Sequence, residues 1–162
     1  MLLFAHMGLA LLFARPFKKA DLTFLAIGSM LPDIIDKPLG TILFGTPGMG
    51  RIFAHTLLFL FVIAALAVFL RDIRLVSLCG GVFIHLALDT MWNSPVILFW
   101  PLLGPFPIAH YVSPLDYLEM LMLGLKNPGI WIPECIGLAY LIYFAAERKP
   151  RIYARIKSIL AR

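Results

Sequence analysis

From Ile52 to Leu70 the chain runs nineteen residues without a charged side chain. At about 1.5 Å per residue a helix of that length covers about 28 Å, close to the hydrocarbon core of a bilayer at about 30 Å. Further apolar runs stand on either side, over residues 1–14, 21–30, 75–91 and 130–146. Hydrophobic residues make up 61% of the chain and charged residues 14%, with a mean hydropathy of +0.91. Soluble domains carry about 45–50% and about 25% respectively. The chain is therefore read as one all-α integral membrane domain over residues 1–162. The expected architecture is a polytopic bundle of about five apolar helices, some short or re-entrant, with residues 147–162 as a basic amphipathic juxtamembrane helix.

The breaks between runs are set by proline, glycine and charge. Residues 1–14 carry no basic residue ahead of their apolar stretch, so they are expected to be retained and not cleaved. Asp21 is placed to cap the second run, and Pro32 is expected to end it, leaving 37–50 as a loop. Residues 92–114 hold too many prolines for a continuous span. They read as interfacial or re-entrant, with Trp92, Trp100 and Tyr111 at headgroup level and His110 solvated among them. Residues 116–125 form a short amphipathic helix, and Pro133 falls in the first turn of the last apolar helix. Cys79 and Cys135 match no metal-ligand spacing and read as small apolar residues within helices.

The net charge of +5 calls for no nucleic acid. Its basic residues gather at 15–19, at 71–74 and in the C-terminal tail. Helices that alternate in direction put all three stretches on one side, which the positive-inside rule makes the cytoplasm. The N-terminus is then outside and the C-terminus inside. The same alternation carries six other polar residues toward the opposite, non-cytoplasmic face: His6, Asp33, Asp36, His55, His85 and Asp89. His85 and Asp89 lie four apart, on one helical face. In an apolar setting such side chains are costly unless they are paired or bound to something.

Imidazole and carboxylate together suit zinc, with manganese or iron as alternatives, as one or two divalent ions. Such ions activate water and polarise phosphoryl or acyl oxygens. The order His6, Leu31-Pro-Asp33-Ile-Ile-Asp36, Arg51…His55-Thr56, His85-Leu-Ala-Leu-Asp89 and Leu98-Phe-Trp-Pro101 resembles the membrane-bound metal-dependent hydrolases, including those of the LexA-regulated inner-membrane type. The helical His/Asp pattern is more distantly similar to zinc-dependent phospholipase C. The resemblance covers residues 1–101. It implies a helical membrane protein in which His6, Asp33, His55, His85 and Asp89 hold metal, with hydrolysis of a phosphoester or of a lipid. Many members of that family read His-Arg-x-x-x-His-Ser where this chain has Gly50-Arg51 and His55-Thr56. One ligand that the resemblance implies is thus missing at Gly50.

Asp36 is expected either to orient a ligand or to act as general base, and Arg51 either to clamp a phosphate or to snorkel. Each residue also has a plainer reading. His85 and Asp89 serve as helix glue, Asp33 and Asp36 sit in a solvated turn, and His55 is interfacial. Three functions follow. The first is a metal-dependent hydrolase acting on a lipid-like or amphipathic substrate drawn from membrane lipid. The second is a metal-ion or proton transporter or channel. The third is a non-catalytic scaffold stapled by metal.

Overall fold

The computed structural model describes residues 3–107 and 113–160; His110 and Tyr111 lie outside them. The regular structure is helical: α1 (Leu3–Phe13), α2 (Leu22–Phe44), α3 (Leu57–Leu70), α4 (Ile73–Leu88), α5 (Pro95–Leu98), α6 (Pro114–Gly124) and α7 (Pro128–Leu160). The helix starts are set by side chains that accept otherwise unpaired amides. Asp21 accepts from the Thr23 and Phe24 amides, Thr56 from Phe59, and Asp72 from Arg74. Ser113 and Asp116 form a reciprocal capping box at the start of α6.

Three expectations are corrected. Pro32 does not end the second helix: α2 continues through Pro32 and Pro38 to Phe44 and closes on left-handed Gly45. Helices in apolar surroundings tolerate proline where neighbours make good the freed backbone groups, and Pro32 is fully buried. Asp33 and Asp36 therefore sit inside a helix, not in a turn. The run from Ile52 does not form one helix. Phe53–His55 make a single 3-10 turn, and α3 begins only after Thr56, so it has fourteen residues. The tail from residue 147 does not begin a helix of its own, because α7 runs unbroken to Leu160.

The bundle is closed by backbone-to-backbone crossings at glycine. A Cβ on Gly28 would collide with the Leu78 carbonyl, and one on Gly81 with the Leu25 carbonyl while lying 2.7 Å from the Ser29 amide. Only glycine lets α2 and α4 approach this closely. Gly80, its neighbour in sequence, faces open space. A similar crossing of α1 and α7 is made by Gly8 and Gly137. One core cluster, Leu60, Ile63, Val82, Leu86 and Met91, joins α3 to α4. A second, Ala10, Leu11, Ala14 and Leu25, joins α1 to α2.

The two ends of the bundle differ in chemistry. At one end the Asp21 amide donates to Ser77 Oγ at 2.9 Å, Arg74 lies over the Phe24 ring, and Arg15 reaches Tyr143. This end gathers the basic stretches at 15–19 and 71–74 with Arg148 of α7. At the other end of α1 the Phe4 amide donates to Glu134 Oε2 of α7 at 3.0 Å. Among the described residues one helical segment, Pro128–Arg148 of α7, is long and apolar enough by itself to cross a membrane; α1, α3 and α4 are shorter apolar helices. Large apolar side chains face outward all along the bundle, Val68 and Phe69 of α3 being 75% and 83% exposed. An apolar surface of that extent marks contact with lipid or another apolar partner.

Candidate metal centre

Four backbone elements bring the polar residues together. His6 stands one turn into α1, Asp33 and Asp36 in mid-α2, His55 at the end of the 3-10 turn, and His85 and Asp89 at the end of α4. His6, His55 and His85 have no exposure at all, and Asp33 and Asp89 are 9% and 7% exposed. The crossing at Gly28 and Gly81 is what aims His85, one turn past Gly81, at α2.

Two of the imidazoles are held from behind. His85 Nδ1 lies 2.7 Å from the Ser29 carbonyl oxygen, which only accepts, so Nδ1 carries the proton. His55 Nδ1 lies 2.7 Å from Asp36 Oδ2. Asp36 also accepts the amides of Ile52 at 2.7 Å, Ala54 at 2.9 Å and His55 at 3.1 Å. With these donors around it Asp36 acts as a carboxylate, and His55 Nδ1 donates to it. Both rings therefore turn Nε2 toward the same point, where the two atoms stand 3.2 Å apart. Two facing lone pairs at that distance repel unless a proton or a cation lies between them.

The remaining donors surround this point. His6 Nε2 is 3.1 Å from Asp89 Oδ1, and the His6 ring stacks on His85 with centroids 4.1 Å apart. His55 Nε2 is 3.8 Å from Asp33 Oδ1 and 4.0 Å from Asp89 Oδ2. Two overlapping triads result, His6–His85–Asp89 and Asp33–His55–His85, each with its ligand atoms within 4.8 Å of one another. Bonds of about 2.0–2.1 Å at tetrahedral angles put ligand atoms about 3.4 Å apart; the 3.1 and 3.2 Å edges lie near that spacing, and the 3.8 and 4.0 Å edges would have to draw in on a bound ion. The donor chemistry fits too. Each orienting bond from Ser29 and Asp36 is of the kind that supports metal-bound histidine.

Two cations border the cluster. Arg51 Nη2 meets Asp89 Oδ2 at 2.7 Å, with its side chain 45% exposed, and Lys37 Nζ meets Asp33 Oδ2 at 2.7 Å. Burial opposes the charge on Asp89, which lies just past the end of α4. The His6 contact and the Arg51 guanidinium offset that cost. Over the 3-10 turn, Trp100 and Phe106 stack on each other, and both meet Phe53 edge-on. The proline-rich segment thereby covers the backbone that positions His55.

The structure thus brings together His6, Asp33, His55, His85 and Asp89, with Arg51 at the rim. It sets Asp36 behind His55, its oxygens occupied by amide and imidazole donors. Sequence reasoning missed Ser29 and Lys37. A backbone carbonyl leaves no mark in a sequence. Lys37, one helical turn after Asp33, became visible only once α2 was known to continue past Pro32.

No curated protein and no solved structure matches this chain. A family profile described as YdjM inner membrane protein matches residues 1–150. On that match the chain belongs to the YdjM inner membrane protein family and is a membrane protein.

Proposed function

We propose that this protein is a metal-dependent hydrolase that cleaves a phosphoester or ester of a lipid-like substrate at the membrane. The observation that carries the reading is the 3.2 Å approach of His55 Nε2 and His85 Nε2 inside a buried ring of His6, Asp33 and Asp89. A divalent ion held there, zinc first by its preference for imidazole and carboxylate, supplies an activated water and polarises a phosphoryl or acyl oxygen. His85 has one free lone pair, since Nδ1 is tied to Ser29. The two triads share it, which favours a single ion, as does glycine at position 50. Asp36 keeps the His55 ring in the ligand tautomer. Arg51, half exposed beside Asp89, is the group a substrate phosphate meets first.

The polytopic bundle belongs to the same reading. The short apolar helices α1, α3 and α4 sit in the bilayer beside α7, and the cluster lies near the non-cytoplasmic headgroups. The polar residues form one knot at one end and do not line a path, so hydrolysis is preferred to transport.

Metal content of the detergent-purified protein, wild type beside His85→Ala, is the primary test. About one zinc, manganese or iron per chain, lost in the variant, is the expected result. Turnover of phospholipid or phosphoester substrates then ought to vanish in His85→Ala and Asp89→Asn while both variants keep their helical circular dichroism. A wild type that stays metal-free after incubation with divalent ions ends the proposal. Metal without turnover would leave a metal-stapled scaffold.

A further inference from the structure

At the end of the bundle away from the His/Asp cluster, α1, the turn after it and α7 enclose a cavity of about 210 Å³. Arg15, Lys18 and Arg148 line it, with Glu147 as the one carboxylate and Tyr140 and Phe144 as aromatic wall. Its guanidinia are held by aromatic groups. Arg15 Nη2 donates to Tyr143 Oη at 3.2 Å, with its guanidinium carbon 5.5 Å from that ring's centroid. Arg148 stacks over Phe144 at 4.2 Å. Among the described residues none of the three cations forms an ion pair with a carboxylate. The two guanidinia are held in place and keep unspent hydrogen-bond donors, and the exposed Lys18 adds a third positive charge, the arrangement that suits an incoming phosphate.

We propose that this cavity binds the headgroup phosphate of an anionic glycerophospholipid. One feature favours a lipid over a soluble anion. Phe17, which lines the cavity, is 68% exposed, and Phe13 nearby is 53% exposed, so an apolar surface for acyl chains adjoins the charged recess. The volume is below the range of about 300–1,000 Å³ that encloses a drug-sized molecule. It holds a phosphate and its glycerol while the chains remain outside. Basic recesses between helices on the cytoplasmic side are general sites for acidic headgroups. The site is separate from the His/Asp cluster and does not depend on its chemistry.

Native mass spectrometry of the detergent-solubilised full chain tests the assignment, with added phosphatidylglycerol, phosphatidylcholine or inorganic phosphate. Saturable binding of phosphatidylglycerol, not of phosphatidylcholine, is the expected result. The Arg15→Gln/Arg148→Gln double variant ought to bind phosphatidylglycerol about thirtyfold more weakly, and Lys18→Gln about fivefold. Lys126→Gln, which removes an exposed charge outside the cavity, ought to match wild type. Should the double variant not fold, Lys18→Gln and the comparison of lipids on the wild type decide. Equal binding of the two lipids, phosphatidylglycerol affinity unchanged in the cavity variants, or displacement of the lipid by millimolar inorganic phosphate each overturns the proposal.

Discussion

Asp36 and Lys37 are neighbours in sequence and make opposite demands on the site. Asp36 holds His55 in position through Oδ2 and ties down the turn through the amides of Ile52, Ala54 and His55. Lys37 competes for Asp33, a ligand of the proposed ion. Asp36→Asn puts an amide group among donors and frees the His55 tautomer, so divalent metal affinity ought to fall by about 10–100-fold. Lys37→Met removes the competitor and ought to leave affinity equal or higher. Chelator competition on the two purified variants measures both, and an Asp36→Asn protein that binds metal as tightly as wild type would refute the orienting role. The sequence made the clustered residues legible because histidine and aspartate are conspicuous in an apolar run. It hid the Ser29 carbonyl, which is a backbone group, and left Asp36 open between orienting a ligand and acting as general base until its donors are seen.

The elements were legible where a side chain caps them and illegible where packing overrides local preference. Asp21 marks a true helix start, as expected; Asp72 and the Ser113–Asp116 pair mark two more that the sequence reading left unused. Pro32 misled, because its cost is local while the crossing of α2 on α4 is tertiary. The Ile52–Leu70 run misled for the reverse reason: hydropathy has no view of Asp36 drawing three amides of that run into a 3-10 turn. The adjacent glycines give a direct test of the crossing. Gly81→Ala places a methyl against the Leu25 carbonyl and the Ser29 amide. It ought to lower Tm and, by parting α2 from α4, loosen the His85–Ser29 bond and weaken metal binding. Gly80→Ala meets nothing and ought to be neutral or stabilising, by up to about 1 kcal/mol from helix propensity. Thermal unfolding of the two variants side by side decides it; equal Tm values would remove the crossing from the account.

At the scale of the whole molecule, alternation of helices and the distribution of charge led from sequence to a bundle with one basic end and one His/Asp end. Those two ends are present in the structure. The Asp21–Ser77 and Arg15–Tyr143 bonds gather the first, and the His6–Asp89 and His55–Asp36 pairs define the second. What charge and alternation add is an expected direction: the positive-inside rule would put the basic end on the cytoplasmic side. The prediction is that, in cells expressing a Cys79→Ala/Cys135→Ala background, Leu102→Cys reacts with a membrane-impermeant maleimide from outside. Leu102 is 84% exposed and follows Trp100, which packs over the 3-10 turn at the His/Asp end. Lys18→Cys, at the basic end, ought to react only after the membrane is permeabilised. The reverse pattern would put the His/Asp cluster in the cytoplasm. The proposed hydrolysis would then act on inner-leaflet lipid, and the cavity lined by Arg15 and Arg148 would face the outer leaflet. Labelling of both positions from outside would deny that the two ends are separated by a membrane at all.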